Sequence, residues 1–269
     1  MRKLIFSLAV LILLSVNLCL AQSKKGKLYL VSVGVGDIDN ITLKAYKVIK
    51  EADVIFCSRW TCERVKELIK GKEIYDAGFG VGWFYYEAQD ERFNLEEKRR
   101  EFEKINRIIR NAIKEGKTVA VLDDGDPTIF GPHIWYMDAF KDLNPEIIPG
   151  ISAFNAGNAA IKSSVVGLGN RNKTRSVTIA AGFSDLESLA KTGTNLVLFT
   201  MRIKDIKEVL KRIEKYYSPK TQVIFVIYAG YSNKQRVIAG TFEDIYEKIK
   251  DVELPFEYMV YIGDFGVEK

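Results

Sequence analysis

From Lys27 onward, short apolar runs of buried-strand type alternate with amphipathic stretches of helical period, and no other feature limits the possible folds as much. Residues 27–35 read as a strand, 42–51 as a helix, 54–57 as a strand and 63–69 as a helix, a βαβ beginning. Residues 91–115 are charged but carry Phe102, Ile105, Ile108, Ile109 and Ile113 along one helical stripe, which Gly116 ends. The Val-rich run 118–122 follows as another buried strand. Two clusters of breakers, Asn144-Pro145 and Pro149-Gly150, then interrupt the chain, and the pattern starts again with a small-residue helix at 153–160. Beyond it, strands are expected at 176–180, 196–200, 223–228, 237–239 and 258–262, with helices at 204–216 and 242–250. The expected fold class is α/β: an N-terminal α/β domain at 27–146 and a C-terminal α/β domain at 150–269, with a ligand cleft between them.

Residues 1–22 stand apart from this pattern. Arg2 and Lys3 precede an apolar run from Leu4 to Leu20, and Ala21-Gln22-Ser23 with Lys24 and Lys25 close it. These are the three parts of a secretory signal peptide, cleaved after Ala21. The run is also nearly long enough to remain as a membrane anchor, and Lys24, Lys25 and Lys27 leave its orientation open. Export or membrane attachment through this segment is therefore expected. Cys19 adds a lipoprotein reading as a minor alternative, since the Val-Asn-Leu before it is a poor match to the small-residue pattern of such sites.

In the 269-residue chain the formal charge is only +5, and its basic residues are spread along helical faces. That argues against nucleic acid as a partner and suits a carboxylate-rich small molecule. Cys57 and Cys62 lie five apart and His133 is the single histidine, so no metal site is expected. The two cysteines read as partly buried free thiols, although an oxidising compartment would let them pair.

The loops carry the chemistry. Gly125-Asp126-Pro127-Thr128-Ile129-Phe130-Gly131 follows the 118–122 strand, and loops at the carboxyl ends of parallel strands are where open α/β sheets bind ligands. Gly34-Val35-Gly36-Asp37 follows the first strand in the position of a dinucleotide fingerprint. Asp39 stands where the third glycine would be, so a Rossmann nucleotide site is not supported. Trp83-Phe84-Tyr85-Tyr86 offers rings for a flat ligand or for ordinary core packing.

Taken together, Gly34-Val35-Gly36-Asp37, Gly125 to Gly131 and Pro149-Gly150-Ile151-Ser152-Ala153 closely resemble the tetrapyrrole methylase family, S-adenosylmethionine-dependent enzymes of corrin and sirohaem synthesis. The resemblance covers roughly 27–263. It includes Thr42-Leu43-Lys44-Ala45, Glu51-Ala52-Asp53-Val54, and Ala229-Gly230-Tyr231-Ser232-Asn233-Lys234-Gln235-Arg236-Val237 followed by Gly240-Thr241-Phe242. It implies S-adenosylmethionine as cofactor, a small-molecule tetrapyrrole as substrate and a homodimer. Cofactor contacts carry over to Val35, Asp124, Gly125, Asp126, Ile129, Ser152, Ala153 and Gly230, with a further contact at Thr200 or Met201. Two positions depart from the pattern, Val35 where a proline is usual and Asp124 where a glycine or serine is usual.

The implied activity is C-methylation of a corrin or porphyrin precursor. Such a transfer is an in-line displacement that needs alignment more than a nucleophile, followed by loss of a proton from the acceptor carbon. No catalytic base is named by the sequence; His133 reads as structural. Arg59, Arg171, Arg175 and Arg202 are candidates to pair with acceptor carboxylates. Export would separate the enzyme from its cytoplasmic cofactor, which leaves three readings. They are an anchored methyltransferase facing the cytoplasm, an exported or anchored ligand-binding member without catalysis, and a methyltransferase on another acceptor, as in diphthine synthase or a ribosomal RNA methylase.

Overall fold

The computed structural model describes residues 25–87, 94–166, 176–182, 184–201 and 203–267. The signal or anchor segment 1–22, Arg171, Arg175 and Arg202 lie outside the described residues. The chain divides into two compact units. Of the described residues, the first comprises those up to Val31 and those in Tyr46–Leu122 and Pro132–Ile148; the second comprises Ser32–Ala45, Asp123–Gly131 and those from Pro149 onward.

The first unit holds a five-stranded sheet in the order β3-β2-β4-β1-β5, built from β1 (Lys27–Ser32), β2 (Val54–Cys57), β3 (Glu73–Asp76), β4 (Thr118–Asp123) and β5 (Glu146–Ile148). β1 pairs with β5, and β2 with β3 and β4, all parallel. Every residue of β2 and β4 is buried, which explains why these strands read as continuous apolar runs instead of alternating ones. One face packs Leu28, Leu30, Phe56 and Val121 against Ile105 and Ile109 of α5 (Leu95–Lys114) and against Trp135, Tyr136 and Phe140 around α6 (Trp135–Ala139). The Tyr136 hydroxyl, buried in this face, donates to the Ala77 carbonyl at 3.0 Å.

The order of this sheet fixes where its functional edge lies. From β1 the chain runs through α1 (Leu43–Glu51) to β2 on one side, and from β4 it runs to β5 on the other. Adjacent strands whose connections leave in opposite directions make a topological switch point, the usual ligand edge of an open α/β sheet. The loops leaving β1 and β4 are those the sequence singled out.

Cys57 and Cys62 form a disulfide, with Cα atoms 5.5 Å apart, which corrects the expectation of free thiols. The physical reason is local. Ser58 caps α2 (Arg59–Arg64) by accepting from the Thr61 N–H, and this turn folds Cys62 back over the end of β2. The expected helix at 63–69 is two pieces, α2 and α3 (Lys66–Ile69), which meet at Val65.

The second unit holds a mixed sheet in the order β6-β7-β10-β8-β9. Its strands are β6 (Thr178–Ala181), β7 (Leu196–Phe199), β8 (Gln222–Ile227), β9 (Arg236–Thr241) and β10 (Tyr258–Gly263). Only β6 and β7 run parallel; β10 is antiparallel to β7 and β8. Period-two alternation sends Leu196 and Leu198 to a core with Leu210 and Ile213 of α8 (Ile206–Ile213). Val197 faces the other core, with Tyr261, Phe265 and Ile161. On that side α7 (Ala153–Ala160) lies close to β10, where a Cβ on Gly157 would come 2.3 Å from the Tyr261 hydroxyl. That hydroxyl lies 2.9 Å from Asn158 Oδ1.

Candidate functional site

The loops leaving β1 and β4 both belong to the second unit and are joined there by backbone. Gly34 and Gly125 form an isolated antiparallel bridge, in which the Gly125 N–H donates to the Gly34 carbonyl at 2.9 Å. Gly125 has φ +74°, a conformation that glycine adopts without a Cβ penalty. A Cβ built there would lie 3.6 Å from Val35 Cγ1, 3.9 Å from Ser152 Cα and 4.0 Å from Ala153 N. Val35, Ser152 and Ala153 thus all lie within van der Waals reach of the Cβ position of Gly125.

Asp126 organises the next step of the loop. Buried at 7 % exposure, it accepts at one carboxylate oxygen from the Thr128 N–H at 2.8 Å and from the Thr128 hydroxyl. Its other oxygen accepts from the Gly150 N–H at 2.9 Å. Burial pushes its pKa up, but the hydrogen bonds from Thr128 and Gly150 outweigh this and hold the carboxyl below its ordinary range. The Ile129 N–H closes the turn onto the Asp126 carbonyl at 3.0 Å. Asp124, half-buried, stands between the end of β4 and Gly125.

Gly150 leads directly into α7, whose N-terminus is closed by a capping box. Ser152 Oγ accepts from the Asn155 N–H, and Asn155 Oδ1 accepts from the Ser152 N–H, each at 3.3 Å. Phe130, at φ +59°, places its ring 5.0 Å from that of Phe199 at the end of β7. Immediately beyond, the Thr200 hydroxyl donates to the Tyr258 carbonyl at 2.8 Å. Met201 lies in the turn closed by the Ile203 N–H on the Thr200 carbonyl at 3.0 Å.

A further latch ties in Gly230, at φ +85°. Its carbonyl accepts from the Asp37 N–H at 3.0 Å and from Asn40 Nδ2 at 3.0 Å, and Asn40 Nδ2 also donates to the Val35 carbonyl at 2.9 Å. The Ser232 N–H donates to Asp37 at 2.8 Å, and hydrogen bonds from Ser232 lower the Asp37 pKa. Gly36 must be glycine here, since its Cβ would sit 2.1 Å from the Gly230 carbonyl oxygen. Lys234 lies over the rings of Tyr228 and Tyr231, 3.9 Å from each centroid.

Of the sequence candidates, Val35, Gly125, Asp126, Ser152 and Ala153 are drawn together by hydrogen bonds or near contacts, and Gly230 joins them through Gly36, Asp37 and Asn40. Ile129 follows within the Asp126 turn, and Thr200 and Met201 follow Phe199, the ring partner of Phe130. Ser32 and Asn40 were not among the candidates. Asn40 precedes a helix and reads as a turn residue, and nothing in the sequence pairs it with a carbonyl 190 positions away. His133 is buried against Tyr136, with ring centroids 6.2 Å apart. Phe84 and Tyr85 pack on Phe102, each at 5.9 Å, so that part of the aromatic run is core. Arg59 is exposed at the start of α2. Among the described residues no group of three or more His, Cys, Asp or Glu side chains is placed to hold a metal ion.

Strand-end glycine loops, a capped helix start and the Gly230 latch gather within the second unit, the kind of strand-end edge at which α/β proteins bind small molecules. The pattern of the tetrapyrrole (corrin/porphyrin) methylases matches residues 27–246, and the chain belongs to that family. It is 29% identical to a cobalt-precorrin-4 C(11)-methyltransferase of Methanocaldococcus jannaschii, over 88% of this chain and 87% of that protein. A uroporphyrinogen-III C-methyltransferase of Priestia megaterium is 28% identical over 89% of this chain and 98% of its own. In fold, a cobalt precorrin-4 methyltransferase of cobalamin biosynthesis aligns with a TM-score of 0.66 at 22% identity, over 88% of this chain and 94% of that one. The uroporphyrin-III C-methyltransferase of Thermus thermophilus, solved with S-adenosyl homocysteine, aligns with a TM-score of 0.63 at 23% identity, over 88% and 92%.

Proposed function

We propose that this protein is an S-adenosylmethionine-dependent methyltransferase that methylates a carbon of a tetrapyrrole, a corrin or porphyrin precursor. The observation that carries the reading is the convergence of Val35, Ser152 and Ala153 within 4.0 Å of the Cβ position of Gly125, in a chain of the tetrapyrrole methylase family. Glycine at such positions lets a ligand with an adenine edge and an amino acid tail approach the main chain closely. Val35, Gly125, Ser152, Ala153 and the Gly230 latch would hold that cofactor, with Asp124, Ile129, Thr200 and Met201 at its borders. S-adenosylmethionine supplies a methyl group already activated by a positive sulfur. The chain's own residues therefore bind and align, with Asp126 and Asn40 fixing the loops that do so. Names of relatives that act on uroporphyrinogen III and cobalt-precorrin-4 support the substrate class.

The test is incubation with S-adenosylmethionine labelled in its methyl group and with uroporphyrinogen III or a cobalt-corrin precursor. Label transferred to the macrocycle is the expected result. Cofactor binding without turnover on either class would overturn the substrate assignment.

A second reading, an exported or anchored ligand-binding member that does not methylate, is favoured by the Cys57–Cys62 disulfide together with the signal-like pattern of residues 1–22. Cell fractionation with a protease-protection assay separates the two. Methyl transfer requires the folded chain to face the cytoplasm, whether or not the N-terminal segment anchors it. We also assign the homodimer usual in the family, which sedimentation analysis checks.

A further inference from the structure

We infer that Ser32 is a positioning residue that locks three loops of the ligand site with one buried hydroxyl. This rests on the cofactor site proposed above. Ser32 is the last residue of β1 and is fully buried, an unusual place for a small polar side chain in a strand whose other buried residues, Leu28, Leu30 and Val31, are apolar. Its hydroxyl is used in both directions. It donates to the Gly125 carbonyl and accepts from the Gly34 N–H at 3.1 Å. The same oxygen is packed on Gly150, where a Cβ would come 2.0 Å from Ser32 Oγ and 2.7 Å from Ser32 Cβ.

One oxygen therefore touches the loop after β1, the loop after β4 and the approach to α7. The other bonds between these loops converge on the same residues. Gly125 reaches Gly34 through its N–H, and Gly150 reaches Asp126 through its own. With Ser32 added, Gly125 is held at both its N–H and its C=O, and Gly150 is fixed by a hydrogen bond on one side and a packed hydroxyl on the other. The position of Ala153 and Ser152 relative to Val35 depends on this fastening. Removing the hydroxyl leaves the Gly125 carbonyl and the Gly34 N–H buried without it, and loops in that state rearrange to recover partners. The chemistry of the ligand is not read by Ser32; the separation of the groups that read it is.

The tests use the full chain. Ser32→Ala should weaken S-adenosylmethionine binding about tenfold, the loss of roughly one buried hydrogen bond. KM for the cofactor should rise by a similar factor, with kcat at saturating cofactor kept within about twofold. Hydrogen exchange on ligand-free protein should show faster exchange of the Gly34 amide. Gly150→Ala should lower the melting temperature by forcing the new methyl onto Ser32. The pair Ser32→Gly with Gly150→Ala should recover melting relative to Gly150→Ala while cofactor affinity stays weak, separating positioning from stability. Unchanged cofactor affinity in Ser32→Ala, when the wild-type chain binds, overturns the inference. Absence of binding by the wild type overturns the cofactor assignment instead, and unchanged Gly34 exchange in Ser32→Ala then overturns the inference independently.

Discussion

Asp126 joins two loops through one carboxylate, so its chemistry sets a pH signature. Its two oxygens accept from Thr128 and from Gly150, and its folded pKa is held below the ordinary value of 3.8. A depressed folded pKa contributes stability that is fully present above the unfolded value and is lost as pH falls through the folded value. Asp126→Asn places an amide donor against the Gly150 N–H or gives up the Thr128 bonds. It should destabilise the fold by about 1–3 kcal/mol at neutral pH. Urea titrations at several pH values check this: the gap between wild type and variant should be constant above pH about 5 and shrink below pH about 4. Asn40 plays the neutral counterpart, with one amide group bridging Val35 and Gly230. Phe130 and Tyr228, at φ +59° and +53°, show where the same region holds bulky residues in left-handed backbone. Each costs about 1–3 kcal/mol, which the surrounding contacts must offset.

At the scale of elements, two short devices position the functional edges. The capping box of α7 satisfies the Ser152 and Asn155 N–H groups, and Ser152→Ala should cost about 1 kcal/mol in thermal or chemical unfolding. That variant should also weaken cofactor binding, because Ser152 lies beside the Cβ position of Gly125. The disulfide closes a loop with a sequence separation of only 5. Chain entropy for so short a loop gives about 2 kcal/mol. Urea denaturation of Cys62→Ser, compared with wild type in the presence and absence of reductant, should show that loss, with the reduced wild type matching the variant.

The elements that were legible in the sequence are those with strong periodicity. β2 and α7 fall within their expected bounds, and the stripe from Phe102 to Ile113 lies in α5. β3 was not legible, because Glu73-Ile74-Tyr75-Asp76 is a polar edge strand with little burial to impose a pattern. α4 (Val81–Tyr85) and α6 are five residues each, too short for a helical period to emerge. The strand expected to reach Val35 ends at Ser32, as Gly34 turns the chain at φ +64°. In the site, glycine-rich loops were legible as loops. The bonds of Ser32 and Asn40 were not, since they join residues 93 and 190 positions apart and leave no local trace.

For the whole molecule, family membership spans residues 27–246, and strand-end loops within that span converge on Gly125. What the chain does follows from whether those loops take up S-adenosylmethionine in the compartment where the protein resides. The most direct test is calorimetric titration of S-adenosylmethionine into the wild-type chain and into Gly36→Ala, whose added methyl would collide with the Gly230 carbonyl oxygen at 2.1 Å. The account predicts saturable heat with one site per chain for wild type, displaced by S-adenosylhomocysteine, and its loss in Gly36→Ala. No heat from the wild type at millimolar cofactor, or equal binding by both proteins, would contradict it.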